Sequence, residues 1–153
     1  MKNILAQKEN FSISTDKSKL DLQYIHKFIS SSYWAAGIPF ETLKRSIDGS
    51  KCFGLFDGNK QIGFARVVTD YATFAYLADV FVDENYRGKG LATWLMETII
   101  SYPELQGFRN WFLATRDAHN LYKKFGFTAL DQPERFMRKN DPNVYKKQMT
   151  SGE

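Results

Sequence analysis

Apolar side chains near the start of the chain change from an alternating to a helical spacing. Residues 11–15, Phe-Ser-Ile-Ser-Thr, alternate between apolar and polar and predict a strand. Ser18 and Asp21 then have the spacing of a capping box, which predicts the start of a helix. The apolar face of that helix carries Leu22, Ile25, Phe28 and Ile29. Pro39 opens a second short helix, because proline is well tolerated in a first helical turn.

Strand patterns follow without an intervening helix. Cys52 to Phe56 and Gln61 to Thr69 flank the turn Asp57-Gly58-Asn59-Lys60, and a further strand runs from about Phe74 to Val82. Consecutive strands joined by short turns usually pair with each other. The middle of the chain therefore predicts an antiparallel meander.

The second half alternates between helical and extended patterns. The predicted elements are a helix from Leu91 to about Tyr102, a strand over 111–113, a helix opened by Asp117, and strands over 127–130 and 136–137. Residues from about Lys146 are expected to form a frayed tail. The order β-α-α-β-β-β-α-β-α-β-β predicts an α/β (α+β) fold with a mixed, mostly antiparallel sheet flanked by helices. We expect one domain over residues 1–153.

Composition agrees with a globular chain in a reducing compartment. Hydrophobic residues make up 43% of 153 residues, enough for a core without disulfides or metal. Cys52 is the single cysteine, so no disulfide can form within the chain. The first ten residues lack the apolar stretch of a signal peptide, and no run approaches the roughly 20 apolar residues of a membrane span. We expect a cytoplasmic protein without a membrane partner.

Charge gives little sign of a nucleic-acid partner. The 21 Lys and Arg against 17 Asp and Glu leave a net charge of +4, spread along the chain. The densest clusters are the pairs Lys123-Lys124 and Lys146-Lys147. This distribution favours a solvated surface over a nucleic-acid footprint, and it also suits a small polyanionic cofactor.

A glycine-rich turn between a predicted strand and helix is the strongest functional signal. Residues 87–90 read Arg-Gly-Lys-Gly, and the first amides of the following helix would lack internal partners, a device that binds phosphate. A dinucleotide fingerprint needs a third glycine where this chain has Thr93. A Walker loop needs Ser or Thr after Gly-Lys, whereas Gly90 follows Lys89.

Two motifs in this half resemble one enzyme family. Residues 87–92, Arg-Gly-Lys-Gly-Leu-Ala, match the Arg/Gln-x-x-Gly-x-Gly/Ala motif with which the GCN5-related N-acetyltransferases hold the CoA pyrophosphate. Residues 118–127 are similar to the family's Ala-x-x-Leu-Tyr-x-x-x-Gly-Phe signature. The resemblance implies acetyl transfer from acetyl-CoA to a primary amine of a small molecule by direct attack, with no acyl-enzyme and no metal.

The resemblance also implies roles for particular residues. Tyr122 matches the tyrosine that donates a proton to the departing CoA thiolate. The strand ending at Val82 would pair with the pantetheine arm, and a bulge in it would turn a backbone amide toward the acyl carbonyl. The expected cofactor-binding residues are Val80, Phe81, Val82, Arg87, Gly88, Lys89, Gly90, Leu91, Ala92 and Thr93.

Other polar and aromatic residues are candidates for catalysis and acceptor binding. Asp79 stands in an apolar strand, where a carboxylate is costly unless paired. It would act as the general base, bind the substrate ammonium, or pair with Arg66. Arg66 and Asp70 either form a salt bridge at a strand end or line an acceptor pocket. Trp34 and Phe74 would suit a small cationic amine.

Several alternatives stay open at this level. A non-catalytic CoA-binding sensor or interaction module would keep the glycine turn and lose the reacting groups. The acceptor could be a peptide N-terminus, a lysine side chain, an amino acid or an amino sugar. His119 is an alternative base because histidine is the residue type that most often serves as one, and Cys52 is expected to fill a strand rather than to react. A homodimer is compatible with the sequence.

Overall fold

The computed structural model of the protein describes residues 4–150; residues 1–3 and the last three residues of the predicted tail lie outside the described residues. Within that range, the strands are β1 (Ile4–Lys8), β2 (Phe11–Ser14), β3 (Lys51–Asp57), β4 (Lys60–Thr69), β5 (Phe74–Val82) and β6 (Asn110–Phe112). The α-helices are α1 (Leu22–Ser30), α2 (Phe40–Asp48), α3 (Leu91–Ile100), α4 (His119–Lys123) and α5 (Val144–Thr150). None of the described helices is long and apolar enough to cross a lipid bilayer.

The strands form one sheet in sequence order, from β1 to β6. Every neighbouring pair is antiparallel except β5 and β6, which pair in parallel. The prediction of a mixed, mostly antiparallel sheet flanked by helices is therefore confirmed. The β5–β6 pairing covers only Phe74 to Tyr76. Among the described residues, no strand pairs with this edge of β5 beyond Tyr76, which leaves its backbone groups open to a partner.

Helices cover both faces of the sheet, which explains why most of β4 is buried. One hydrophobic core lies between α3 and the sheet and includes Leu91, Leu95, Met96 and Ile99. The other lies between the sheet and the helices α1 and α2, and it includes Ile25, Ile29, Leu43, Ile47 and Phe64. Each fully buried Leu, Ile or Phe contributes about 1.5–3 kcal/mol of transfer free energy. The two cores hold the end of β5 and the start of α3 in fixed positions.

The start of α1 differs from the predicted capping box. Asp21 is itself the N-cap, and its carboxylate accepts a hydrogen bond from the Tyr24 amide. Ser18 lies within a short 3-10 helix, Lys17–Lys19, and its amide and hydroxyl both donate to Asp16. Two aspartates therefore do the capping that the motif assigned to Ser18. Asp16 accepts from the amide two residues onward, and Asp21 accepts from the amide three residues onward.

The two ends of the chain also differ from the prediction. β1 was not predicted, because its short sequence Ile-Leu-Ala-Gln-Lys carries only a weak alternation. Residues 127–130 and 136–137 form no strand, although their patterns predict one. In place of a frayed tail, residues up to Thr150 form α5, where Tyr145 packs against the core of α1 and α2. Each difference depends on a distant partner, which a local pattern does not contain.

Candidate functional site

The connection from β5 to α3 is a tight turn that needs two glycines. Asp83 follows β5 and caps a short 3-10 helix, Glu84–Tyr86, by accepting from the Asn85 amide. Gly88 then has a φ of +83° and Gly90 a φ of +76°. These left-handed conformations are costly for residues with a Cβ atom. They reverse the chain so that α3 starts directly at Leu91.

The first turn of α3 presents backbone donors that have no partner among the described residues. The first backbone hydrogen bond of the helix runs from the Trp94 amide to the Gly90 carbonyl. The amides of Leu91, Ala92 and Thr93 therefore have no acceptor within the helix, and Gly90 supplies no capping side chain. A Cβ atom built on Gly88 or Gly90 would meet no described atom within 4 Å. The turn is thus open to a ligand and attracts negative charge.

Cationic side chains and a tyrosine surround the same turn. Arg87 and Lys89 are exposed and add positive charge. The Arg87 Nε donates to the Val82 carbonyl at 3.3 Å, which ties the turn back to the end of β5. The Tyr86 hydroxyl donates to Asp57 at 2.7 Å and anchors the turn to the β3–β4 hairpin. Tyr86 lines the small concavity in front of α3 and was missed from the sequence.

A β-bulge interrupts β5 beside the open edge of the sheet. Phe64 of β4 lies opposite Phe81, and Arg66 lies opposite Ala78. One residue on β4, Ala65, therefore faces two on β5, Asp79 and Val80. Asp79 has a φ of +56°, a rare conformation for any residue other than glycine. A bulge of this kind re-aims the backbone groups of the strand that carries it.

Three side chains from separate elements meet at the bulge. The Arg66 Nε donates to Asp79 Oδ2 at 2.9 Å, and the Trp34 indole Nε1 donates to Asp79 Oδ1 at 2.8 Å. The Asp79 side chain is only 7% exposed. Arg66 also donates from Nη1 to the Ser50 hydroxyl at 3.0 Å. Of the sequence-based alternatives for Asp79, the structure brings about the pairing with Arg66.

A second contact links the α1–α2 loop, residues 31–39, to the chain after β6. The Arg116 amide donates to the Tyr33 hydroxyl at 3.0 Å, and the Arg116 guanidinium lies 3.9 Å from the centre of the Tyr33 ring. Trp34 of the same loop contacts β5. The loop therefore spans the opening between β5 and the β6–α4 connection. Tyr33 and Arg116 were not singled out in the sequence, where an aromatic pair in a serine-rich loop was the available signal.

Tyr122 lies close to this loop on the short helix α4. Its side chain is nearly buried and packs edge-on against Phe127. Burial raises the pKa of Tyr122 to about 12, and the neighbouring Tyr33 and Asp117 add to the shift. The phenol therefore holds its proton at neutral pH. Among the residues that the structure describes, no protein group accepts a hydrogen bond from its hydroxyl, which leaves that donor available to a ligand.

Comparisons with known proteins agree on one family. Residues 20–127 match the family model described as "Acetyltransferase (GNAT) family". The chain belongs to the GNAT acetyltransferase family. It is accordingly an enzyme that transfers an acyl group from an acyl-CoA.

Individual GNAT relatives agree over most of the chain. It is 30% identical over 138 residues to a Gibberella zeae protein named "Putative acetyltransferase FG08082", covering 75% of this chain and 77% of that protein. A crystal structure from Xanthomonas campestris, described as belonging to the gnat family, is 46% identical with a TM-score of 0.85 and covers 88% of this chain and 96% of that one. A Clostridium acetobutylicum structure described as a "predicted acetyltransferase with acetyl-CoA" shares the fold, with 14% identity and a TM-score of 0.62 over 86% of this chain and 95% of that one.

Two acceptor-site candidates of this GNAT chain lie apart from the bulge network. The Asp70 carboxylate accepts hydrogen bonds from the Ala72, Thr73 and Phe74 amides at the β4–β5 turn. These bonds hold its pKa far below the ordinary value. Phe74 is part of an aromatic row with Phe112 on β6. Asp70 therefore stabilises a turn. The alternative of a salt bridge between Arg66 and Asp70 is wrong, because Arg66 pairs with Asp79.

The single cysteine is also remote from solvent. Cys52 is 1% exposed, and its thiol donates weakly to the Ile47 carbonyl, 3.6 Å away. Burial raises the pKa of the Cys52 thiol to about 11. A buried, protonated thiol is a poor nucleophile, so the geometry gives no support to a covalent acyl-cysteine intermediate.

Proposed function

We propose that this GNAT enzyme is an acetyl-CoA-dependent N-acetyltransferase that acts on a primary amine of a small molecule by direct attack. The observation that carries the proposal is the position of three unpaired amides at the start of α3, next to the unpaired and bulged edge of β5. A diphosphate fits the amides, and an extended arm fits the strand edge. The start of α3 would thus hold the diphosphate of the carrier, and the β5 edge would hold the arm that ends in the acyl group.

The residues around the turn fit acetyl-CoA as co-substrate. The amides from Leu91 to Thr93 and the cations Arg87 and Lys89 would hold the pyrophosphate, with Gly88 and Gly90 giving it close access. Backbone groups of residues 80–82 would pair with the pantetheine arm, while the Phe81 ring stays in the core against Phe28. The Clostridium acetobutylicum relative with acetyl-CoA supports this choice of carrier. The proposed chemistry needs no metal.

The chain's own residues would assist each part of the reaction. The amine must lose a proton to become nucleophilic, because a primary alkylamine is mostly protonated at pH 7. Its nitrogen then attacks the thioester carbonyl carbon, and a backbone amide at the bulge stabilises the negative charge on the carbonyl oxygen. As the carbon–sulfur bond breaks, the Tyr122 hydroxyl donates its proton to the CoA sulfur. The proton that the ammonium loses before attack goes to solvent. The second proton, which nitrogen loses after attack, returns through water to the Tyr122 oxygen and restores the phenol.

The α1–α2 loop supports a small acceptor rather than a folded protein. Trp34 contacts Asp79 on one side of the opening, and Tyr33 contacts Arg116 on the other. A bulky chain would have to break these contacts to approach the bulge. A small amine would pass the exposed Trp34 ring, whose face attracts an ammonium group. We place this reaction in the cytoplasm. The single buried cysteine fits a reducing compartment, and acetyl-CoA is available there.

Thiol release tests the proposal directly. Purified protein is mixed with acetyl-CoA and a panel of small primary amines, amino acids, amino sugars and lysine peptides, and free CoA thiol is measured. We expect turnover with at least one small amine and micromolar or tighter acetyl-CoA binding by calorimetry. Binding without turnover across the panel would contradict the transferase activity on small amines. A failure to bind acetyl-CoA would contradict the assignment of the α3 turn as well.

A further inference from the structure

The bulge in β5 is held in a conformation that its sequence does not favour. Asp79 has a φ of +56° in the middle of a strand, between residues that pair regularly with β4. Aspartate tolerates left-handed backbone better than most residues, yet it still prefers extended geometry in a strand. Such a conformation persists when surrounding contacts determine it. Contacts of the Asp79 side chain are therefore the place to find its cause.

Both oxygens of the Asp79 carboxylate are already engaged. Oδ2 receives the Arg66 Nε and Oδ1 receives the Trp34 Nε1, at 2.9 and 2.8 Å. A general base must direct a free lone pair toward the substrate proton. With two donors in place and a 7% exposed side chain, Asp79 points into the protein network instead.

The network reaches from the bulge to three other elements. Arg66 belongs to β4, the strand opposite the bulge, and its Nη1 contacts the hydroxyl of Ser50 at the end of α2. The Ser50 hydroxyl in turn donates to the Ser46 carbonyl within α2 at 2.6 Å. Trp34 belongs to the α1–α2 loop and is 43% exposed. Contacts with β4, with the end of α2 and with the α1–α2 loop together hold the bulge in place.

We propose that Arg66, Asp79 and Trp34 are positioning residues, and that they hold the bulge so that its backbone amide faces the acyl carbonyl. This inference rests on the proposed acetyl transfer and assigns Asp79 a role other than general base. It also connects the two substrates. Trp34 lies on the α1–α2 loop, which would contact the acceptor, and it donates a hydrogen bond to Asp79 in the bulge. An acceptor that shifts Trp34 would change the orientation of the amide that stabilises the oxyanion.

Two substitutions of Asp79 separate positioning from base catalysis. Asp79→Gly removes the carboxylate and allows a φ of +56°, whereas Asp79→Ala removes it and disfavours that conformation. Positioning predicts that kcat falls about 10–100-fold for alanine and several-fold less for glycine. Acetyl-CoA affinity should change by less than about threefold in both, because the α3 turn is untouched. The pH profile of kcat/KM should keep its shape. Equal loss of activity in both variants, with loss of the acidic limb, would overturn the inference.

A milder variant tests the same role without changing Asp79, where a substitution would also affect folding. Trp34→Phe keeps a ring on the exposed loop and removes only the Nε1 donor. We expect kcat to fall several-fold with an unchanged melting temperature, and a wild-type kcat would contradict the role of Trp34. Asp141→Asn is the matched control, because Asp141 pairs with Lys147 at 2.8 Å near the end of the chain. Its kinetics should equal those of the wild type.

Nuclear magnetic resonance tests the same idea without turnover. In the wild-type protein, the amide signals of Asp79 and Val80 should shift differently with acetyl-CoA than with CoA, because only acetyl-CoA carries the thioester carbonyl. Arg66→Met should remove this difference while both ligands still bind. No difference in the wild type would overturn the positioning of the amide. If the wild type is active but its amide shifts are the same with acetyl-CoA and CoA, only this inference is contradicted. If the wild type binds acetyl-CoA but never turns over, the transferase proposal is contradicted.

Discussion

The Tyr33 hydroxyl accepts a hydrogen bond from the Arg116 amide and thereby joins two connections that lie 83 residues apart in sequence. The Arg116 guanidinium stacks on the same ring, so the contact combines a hydrogen bond with a cation–π interaction. Because Tyr33 also lies near Tyr122, this contact would fix one wall of the proposed transfer site. It connects the packing of the α1–α2 loop to acceptor binding.

Removing the Tyr33 hydroxyl should loosen that wall. A single hydrogen bond of this kind contributes about 0.5–1.5 kcal/mol, which corresponds to a change of roughly 2–10-fold in an equilibrium. We expect Tyr33→Phe to raise KM for the amine by that factor and to leave the acetyl-CoA dissociation constant unchanged. Steady-state kinetics with each substrate varied in turn measures both. Tyr145→Phe on α5 is the control, and an unaltered KM in Tyr33→Phe would show that the contact does not shape the acceptor site.

The glycines before α3 give a sharper prediction, because a matched glycine exists elsewhere. Gly88, Gly90 and Gly107 all have φ near +80° and open space around a built Cβ atom. Alanine at each should cost about 1–2 kcal/mol of unfolding free energy. Only Gly88→Ala and Gly90→Ala should also weaken acetyl-CoA binding, by about tenfold or more. Denaturant unfolding and calorimetry separate the two effects. Equal affinity in all three variants would contradict the phosphate assignment.

The sequence predicted the parts of the site that depend on local structure. Gly88 and Gly90 identify a turn because left-handed backbone favours glycine, and Leu91 begins a helix whose apolar spacing is clear. The positive φ of Asp79 was beyond any local pattern, since it depends on Arg66 from one element and Trp34 from another. Sequence reasoning could name the pair as an alternative but could not choose it.

The same distinction explains the errors in the fold. The meander was predicted well because each hairpin closes over a short turn, as between Asp57 and Lys60. Strands over 127–130 and 136–137 were predicted from their local sequence pattern, yet a strand forms only where a neighbouring strand edge pairs with it. α5 was missed because it is stabilised at a distance, where the Thr42 hydroxyl donates to Gln148 across 106 residues.

Tyr122 gives a prediction about acid catalysis. Tyr122→Phe keeps the ring and its packing against Phe127, and it removes the one group proposed to protonate the CoA sulfur. General acid catalysis is typically worth about 10²–10⁴-fold, so we expect kcat to fall by at least tenfold. The dissociation constant of acetyl-CoA should stay the same. Pre-steady-state thiol release checks the chemical step, and a wild-type rate would return Tyr122 to a packing role.

The raised pKa of Tyr122 also predicts the alkaline side of the pH profile. Burial raises this pKa from 10.0 to about 12, so the folded enzyme keeps the phenolic proton where an exposed tyrosine would lose it. The rate should rise with pH as the acceptor amine loses its proton, and it should not decline below about pH 11. A fall in kcat centred near pH 10, absent from Tyr122→Phe, would show that the phenol titrates normally and is open to solvent. Unfolding must be monitored in parallel, because the unfolded chain loses this proton first and stability declines between pH 10 and 12.

Cys52 tests whether transfer is direct. Its thiol is buried and its pKa is raised to about 11, so the thiolate is scarce at pH 7–8. We expect Cys52→Ala to lose about 1–2 kcal/mol of unfolding free energy by removing a buried group, and to keep kcat within about twofold of the wild type. Initial rates with both substrates varied should give intersecting lines, as a ternary complex requires. Parallel lines, or acetyl-Cys52 detected by mass spectrometry during turnover, would instead establish a covalent intermediate and a site different from the one between β5 and α3.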